Sequence, residues 1–115
     1  MHETSIVNGI MRTLEQEFDA EKLDSMTGIY VRVGILSNIE PRLLYNAYEA
    51  SHMMNPKYQN VKFHIEMMEL KIQCESCDHI TDVKKYRFLC DNCQKPSKNV
   101  IQGEEMLIHK VEFAD

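Results

Sequence analysis

Apolar residues recur at helical spacing near the start of the chain and then switch to a two-residue period. Between Thr4 and Phe18 they repeat about every 3.6 residues, and charged or amide side chains fill the other face. This pattern predicts an amphipathic helix. Over residues 28–36, an alternation of apolar with polar or small residues predicts a half-buried strand. The apolar positions of that strand are Ile29, Val31, Val33 and Ile35.

Three further elements follow along the chain. A second amphipathic helix is predicted from Pro41, because proline favours a first helical turn, and it ends before Pro56. Alternation over residues 61–67 predicts a second strand, and its slip by one residue at Met68 indicates a bulge. Residues 106–113 are predicted to form the final strand.

These elements predict an α+β fold for a chain of 115 residues. We expect a small mixed sheet of about three strands, covered by two helices. Residues 73–98 lie between two strand-like runs and contain all the cysteines, so we expect them to form an inserted zinc-ribbon-like module with four cysteine ligands. Residues 1–72 and 99–115 would then form one discontinuous α+β domain.

The four cysteines form two Cys-x-x-Cys pairs, Cys74/Cys77 and Cys90/Cys93. Each pair can direct two thiolates at one ion from a tight turn, and the intervening residues are long enough for the second pair to return, so we predict a tetrahedral zinc site. Four protein sulfurs close the coordination sphere, which indicates structural rather than catalytic zinc. A redox dithiol and inert thiols are the alternatives, although redox motifs of that kind use a single pair.

Charge argues against nucleic acid as a partner. The chain has a formal net charge of −5, and residues 74–98 carry a side-chain sum of only +1. Four thiolates with one Zn²⁺ would make that segment slightly negative, so it offers no basic field for a phosphate backbone. A zinc-ribbon interaction or nucleic-acid-binding module remains the alternative function. A small basic cluster at Lys84, Lys85 and Arg87 could contact an acidic partner.

The sequence contains neither a membrane-spanning apolar run nor a secretory signal, and the cellular location is predicted from this. No apolar run approaches the roughly 20 residues that a membrane span requires. The first residues lack the basic and apolar stretches of a secretory signal, so we expect a cytoplasmic protein with reduced thiols.

The N-terminus offers a second possible metal site at Met1, His2 and Glu3. The imidazole of a histidine at position two lies within chelate reach of the free α-amine and of its own backbone nitrogen. A square of nitrogen ligands suits Ni²⁺ or Cu²⁺ better than Zn²⁺ or Mg²⁺. Amides before the first helical turn have no intrahelical acceptor, so their use as ligands costs no helix hydrogen bond. The alternative is a frayed terminus without a role.

Other polar residues give weaker signals. Glu40 follows the first strand and could supply an extra oxygen ligand to nickel, and His79 could tune or replace a thiolate. The remaining histidines, His52, His64 and His109, fit helix or strand patterns. No nucleophile or paired carboxylate stands at a recognisable spacing, so we do not expect an enzyme.

Together these motifs resemble the HypA/HybF family of hydrogenase nickel-incorporation proteins. The resemblance rests on Met1-His2-Glu3 before a helix, the run from Val31 to Pro41, both cysteine pairs, and the Gly-Glu-Glu-Met-Leu-Ile of residues 103–108. It extends from end to end. Thr4 replaces the family's usual leucine, and the second cysteine pair lacks the proline and glycine that the family often has there.

The resemblance implies a nickel metallochaperone with two metal sites. Met1, His2 and Glu3 would hold transferable Ni(II), and the four cysteines would hold structural Zn(II). Nickel would pass to the large subunit precursor of a nickel-iron hydrogenase alongside a HypB-type GTPase, and in some organisms toward urease through its accessory proteins. The resemblance is compatible with a monomer or a homodimer.

Overall fold

The computed structural model describes residues 3–54 and 56–114 of the chain. The helices are α1 (Glu3–Glu17), α2 (Ala20–Asp24) and α3 (Pro41–Met54), with a single 3-10 turn at Pro56–Tyr58. The strands are β1 (Met26–Gly34), β2 (Lys62–Met68), β3 (Lys71–Gln73), β4 (Ile80–Asp82), β5 (Val100–Gln102) and β6 (Met106–Phe113).

The first sheet is mixed and has the strand order β2-β1-β6. Central strand β1 runs parallel to β2 and antiparallel to β6. The alternating side chains of β1 explain its central place, because Ile29, Val31 and Val33 are at most 1% exposed. Ile35, predicted on the same face, lies beyond the end of the strand and is exposed.

Helices α1 and α3 pack against each other and contribute to a single hydrophobic core with the first sheet. The buried face of α1 consists of Ile6, Val7, Ile10, Met11 and Leu14. From α3, Leu44 is fully buried, and the Tyr48 ring stacks on Phe63 of β2 at 4.4 Å between centroids. The predicted fold class, a three-stranded mixed sheet covered by two helices with a cysteine module, is confirmed.

The second sheet is antiparallel, has the strand order β4-β3-β5 and carries the cysteines. We call residues 71–102, which contain this sheet, the cysteine module. Strand β2 pairs with β1 in an unbroken register as far as Met68, and only two residues separate it from β3, so the predicted bulge at Met68 is wrong. The slip in the pattern marks the passage from one sheet into the other, where Leu70 is 3% exposed.

The two sheets meet at a tightly packed junction. The backbone N–H of Leu36 donates to the Gly103 carbonyl at 2.7 Å, and that of Gly34 donates to the Glu105 carbonyl at 2.8 Å. A Cβ atom on Gly34 would lie 2.3 Å from the Gly103 backbone, so no larger residue fits without a shift. Gly103 has a φ of 120°, which L side chains rarely adopt.

The molecule is elongated. Its Cα radius of gyration is 17.5 Å, whereas a compact domain of this length has about 13 Å. The division into a domain of residues 1–72 and 99–115 and an insert of residues 73–98 stays a prediction. Among the described residues, no helix is both long and apolar enough to cross a membrane.

Candidate metal centre

The first cysteine pair forms a turn directly after β3. The backbone N–H of Asp78 donates to the Cys74 carbonyl at 2.9 Å, and the N–H of Cys74 donates to the His79 carbonyl at 2.9 Å. Asp78 takes the left-handed conformation with a φ of 62°. Aspartate tolerates this conformation better than most residues, because its side chain can form local hydrogen bonds.

The second cysteine pair repeats this backbone pattern. The N–H of Gln94 donates to the Cys90 carbonyl at 2.8 Å, and the N–H of Cys90 donates to the Lys95 carbonyl at 2.9 Å. Gln94 has a φ of 65° at the position that corresponds to Asp78. The two pairs therefore form matching turns, although the second lacks the proline and glycine of the family pattern.

The turns bring all four sulfur atoms together, as the spacing predicted. The Sγ atoms of Cys74 and Cys93 are 3.5 Å apart, those of Cys77 and Cys90 are 3.6 Å apart, and those of Cys77 and Cys93 are 3.8 Å apart. All four lie within 4.8 Å of one another, and none forms a disulfide. A tetrahedral ion with bonds of about 2.3 Å to sulfur separates its ligands by about 3.8 Å. The donor set and its spacing thus fit Zn²⁺.

Burial differs among the four thiols. Cys90 and Cys74 are 0% and 2% exposed, Cys93 is half-buried and Cys77 is exposed. A metal ion bound by all four cysteines would therefore rest on the buried thiols of Cys74 and Cys90 and lie closest to the surface at Cys77.

Backbone and side-chain donors favour the thiolate form of the first pair. The backbone N–H groups of Cys77 and Ser76 lower the pKa of the Cys74 thiol, and the Ser76 nitrogen is 3.4 Å from its sulfur. The Asn92 amide, which donates to Cys77 Sγ at 3.5 Å, lowers the pKa of Cys77, helped by the backbone N–H of His79. Asn92 is not among the residues predicted from the sequence.

Cys93 shows the opposite shift. The backbone N–H of Lys95 lowers its pKa, but burial and the adjoining thiols of Cys74, Cys90 and Cys77 outweigh that effect and raise the pKa to about 11. Four thiolates at this spacing repel one another, so a cation is needed before all of them can ionise. The electrostatics of the cluster thus favour a bound metal ion.

His79 lies beside the cluster and not in it. Its Nε2 forms a pair with Asp91, whose carboxylate also accepts a hydrogen bond from the Thr81 hydroxyl at 3.2 Å. Thr81 in turn accepts from the Asp91 backbone N–H at 3.1 Å, which links β4 to the second cysteine turn. Among the described residues, the cluster of metal-binding side chains contains the four cysteines alone.

The predicted nickel ligands Met1 and His2 lie outside the described residues. Glu3 is the first residue of α1, and its amide is one of the helix N–H groups that lack an intrahelical acceptor. Glu40, the suggested extra ligand, accepts a hydrogen bond from the Arg42 backbone N–H at 3.2 Å at the start of α3.

The remaining histidines occupy separate places. His64 on β2 stacks against Tyr30 at 4.3 Å between centroids, and His109 is exposed on β6. The side chain of His52 lies outside the described set. The structure does not bring His64 or His109 into the cysteine cluster.

Comparison with known proteins identifies the family. A family model described as "Hydrogenase/urease nickel incorporation, metallochaperone, hypA" matches residues 1–113. The chain belongs to the HypA family. A hydrogenase maturation factor HypA from Campylobacter jejuni is 33% identical over 106 residues, covering 92% of this chain and 93% of that protein. One from Shewanella baltica is 29% identical, covering 98% and 96%.

Solved structures share the fold. The solution structure of the Ni metallochaperone HypA from Helicobacter pylori matches with a TM-score of 0.68 at 23% identity, covering 98% of this chain and 97% of that one. A second solution structure of a HypA protein gives 0.70 at 24% identity, covering 99% and 97%. The family's role is nickel incorporation by a metallochaperone, which is a maturation role and not an enzyme activity.

Proposed function

We propose that this chain carries Ni²⁺ at its N-terminus for insertion into a nickel-iron hydrogenase and holds a structural zinc ion at its four cysteines. The observation that carries the proposal is the family match over residues 1–113, which includes Met1, His2 and Glu3. The geometry of the cysteine cluster supports the second half of the proposal.

Zinc suits the cysteine cluster for three reasons. The sulfur separations of 3.5 to 3.8 Å match a tetrahedral ion, the ligands are soft thiolates, and the cluster needs positive charge to ionise fully. A closed sphere of four sulfurs leaves no position for water or substrate. The ion would therefore stabilise the fold and take no part in transfer.

Nickel suits the N-terminus because transfer requires release. The Met1 amine, the His2 imidazole and the backbone nitrogens at His2 and Glu3 offer a small set of nitrogen ligands. The start of α1 at Glu3 supports this assignment, since that amide has no intrahelical acceptor to lose. A few ligands at a chain end release an ion more readily than a closed thiolate cage does.

We further propose that the recipient is the large subunit precursor of a nickel-iron hydrogenase, reached with a HypB-type GTPase in the cytoplasm. Urease is the second recipient, since the family description names both hydrogenase and urease, and urease accessory proteins would then be partners. A homodimer and a monomer both fit this proposal.

The decisive experiment measures both metals in one sample. Untagged protein with a free N-terminus is loaded with nickel, and the mass of the metal-bound chain is measured by native mass spectrometry. We expect one zinc and one nickel per chain. His2→Ala is expected to lose nickel and keep zinc, whereas Cys77→Ser is expected to lose zinc.

A matched control removes an imidazole elsewhere. His109 is exposed on β6, so His109→Ala should keep both metals. Unchanged nickel binding in His2→Ala, or equal loss in His109→Ala, would contradict an N-terminal nickel site. A chain that folds without zinc would contradict the structural role of the cysteines.

A further inference from the structure

An open cleft lies beside the second cysteine turn, and its described lining residues all belong to the cysteine module. Its walls come from β3, β4, the turn at residues 84–87 and the loop at residues 89–94. Its volume is about 620 Å³, which lies within the range of ligand and peptide sites. Apart from Cys90 on its wall, the nickel and zinc proposals make no use of this cleft.

Three cations line the cleft, and two of them have no acidic partner. Lys71 pairs with Asp82 at 3.5 Å. Lys84 and Arg87 are exposed, and neither forms an ion pair within residues 3–54 and 56–114. Two positive charges therefore stand available for an acidic ligand.

The turn at residues 84–87 keeps these two charges together. The Arg87 backbone N–H donates to the Lys84 carbonyl at 3.1 Å, which closes a β-turn with the two cations at its ends. The central residues, Lys85 and Tyr86, have φ angles of 54° and 58°. Both cations line the same cleft as a consequence.

The two acidic residues of the cleft are already engaged within the module. Asp82 pairs with Lys71, and Asp91 contacts His79 and the Thr81 hydroxyl. Leaving Cys90 aside, three cations and two carboxylates line the cleft, so its side chains carry a formal charge of +1.

The cleft also offers an apolar contact, because Ile80 is 49% exposed on its wall. A compact phosphate group would use the cations but not this isoleucine. An extended peptide with carboxylates and an apolar side chain would use both kinds of contact. The shape and chemistry of the cleft thus favour a peptide over a small anion.

The charge of the rest of the chain adds selectivity. Outside residues 74–98 the side chains sum to −6, so an acidic segment is repelled from most of the surface. A positive cleft on an otherwise negative surface favours docking of the acidic segment at the cleft and fixes its orientation.

From these observations we propose that the cleft at Lys84 and Arg87 is a docking site for an acidic peptide segment of a partner protein. The carboxylates of the segment pair with Lys84 and Arg87, and an apolar side chain of the segment packs on Ile80. Cys90, a proposed zinc ligand, lies on the wall of the cleft, but the proposed contacts are made by other side chains and do not depend on the identity of the transferred metal.

The test uses the full-length chain and pools of short fluorescein-labelled peptides. One pool carries glutamates separated by varied residues, and two matched pools carry glutamine or lysine at the same positions. We expect fluorescence polarisation to show binding of the glutamate pool alone, weakened by salt. The charge-reversal variant K84E/R87E is expected to bind at least about tenfold more weakly.

Two controls separate docking from general charge and from unfolding. K62E/K98E makes the same charge change at exposed positions outside the cleft and should bind normally. K84Q/R87Q, which adds no negative charge, should show an intermediate loss. Both cleft variants should keep the zinc content and circular dichroism of the parent chain.

Several results would overturn the proposal. These are no binding of the glutamate pool, equal binding by K84E/R87E, or equal loss in K62E/K98E. Displacement of the peptides by inorganic phosphate at matched ionic strength would assign the cleft to small anions instead. Binding of oligothymidylate that K84E/R87E abolishes would assign it to nucleic acid.

Discussion

Tyr48 shows how a polar group is accommodated in the core of the first sheet. Its side chain is 2% exposed, and its hydroxyl donates to the Val61 carbonyl at 2.9 Å. Burial raises the pKa of Tyr48 to about 12, with a smaller contribution from the charge of Glu49. The folded state therefore keeps this proton at a pH where the unfolded chain has lost it.

The sign of the pH effect follows from that difference. Between about pH 10 and pH 12, the folded chain binds more protons at Tyr48 than the unfolded chain does, so stability falls as pH rises. We expect Tyr48→Phe to lose about 1 kcal/mol at neutral pH, because a buried hydrogen bond is removed. Above pH 10 the difference between the two proteins should shrink, as measured by urea unfolding.

The control for this prediction is Tyr86→Phe, which changes a tyrosine that is 62% exposed. It should match the parent chain at every pH. A Tyr48→Phe variant whose deficit stays constant up to pH 12 would contradict the assigned role of burial.

Alanine substitutions at two glycines, Gly34 and Gly9, are expected to change stability in opposite directions. Gly34→Ala should destabilise the fold by about 2 kcal/mol or more, because its Cβ would lie 2.3 Å from the Gly103 backbone. Gly9 lies on α1, and a Cβ added there would have no neighbouring atom within 4 Å. Because alanine has a higher helix propensity than glycine, Gly9→Ala should stabilise the fold by about 0.5–1 kcal/mol. Thermal unfolding of both variants and of the parent chain measures the two changes in stability. Equal effects of the same sign would refute the steric argument.

At the scale of elements, the long periodic segments were predictable and the short ones were not. Helices α1 and α3 and strands β1, β2 and β6 were predicted to within a few residues, because each has enough residues to show a period. Helix α2 has five residues and depends on a cap in which Asp19 accepts from the Lys22 N–H at 2.8 Å. Strands β4 and β5 have three residues each, too few to define an alternation.

The wrong prediction of a bulge has a physical cause. Met68 and Leu70 are both buried, so one slip in the alternation looked like one irregular strand. In fact β2 and β3 belong to different sheets, and Leu70 is buried at the junction against Gly103. Local pattern alone cannot distinguish a bulge from a change of sheet, because both shift the buried face by one residue.

The cysteine cluster was predictable because two Cys-x-x-Cys pairs at this spacing are typical of turns that face each other around one ion. Its supporting contacts were not, since Asn92 and the Thr81–Asp91 link depend on how the module folds. The sequence places Asn92 between two cysteines, and this position was the available signal for a side chain close to the sulfurs.

The two cysteine turns also predict an order of chemical reactivity. In the zinc-loaded chain all four sulfurs should resist iodoacetamide, because bound thiolates are shielded. When iodoacetamide is added together with a chelator, Cys77 should react first, because it is exposed in the folded module, whereas Cys90 is 0% exposed and should react last, once loss of the ion has unfolded the module. Peptide mass spectrometry after short labelling times gives the order. Fast labelling before chelation, without release of zinc, would favour a redox dithiol instead.

At the scale of the whole molecule, the two sheets differ in what fills their cores. The main hydrophobic cluster, as far as the chain is described, takes its buried members from helices α1–α3, the 3-10 turn, β1 and β2 and the segments between them. In the cysteine module, the apolar side chains that are at most 2% exposed are Ile72, Cys74 and Cys90. Two of these three are proposed metal ligands. We therefore expect the module to depend on a bound metal ion in place of a hydrophobic core.

Removal of the metal should thus unfold one sheet and spare the other. Structural zinc sites contribute on the order of 10 kcal/mol of apparent binding free energy, which a small module without its own core cannot replace. In two-dimensional ¹⁵N–¹H spectra of chelated protein, we expect amides of residues 71–102 to lose their dispersion. Amides of β1 and β2 should keep theirs, because Ile29, Val31 and Phe63 are buried independently of the cysteines.

Adding Zn²⁺ or Mg²⁺ back to the chelated protein tests whether loss of the metal ion causes the change in the spectrum. Added Zn²⁺ should restore the spectrum of the module, whereas Mg²⁺, which prefers oxygen ligands, should not. Loss of dispersion throughout the chain would show that the junction at Gly34 and Gly103 couples the two sheets into one cooperative unit. An unchanged module would show that its backbone turns suffice without metal. A loss confined to residues 71–102 would support the predicted division of the chain into a discontinuous domain and an insert.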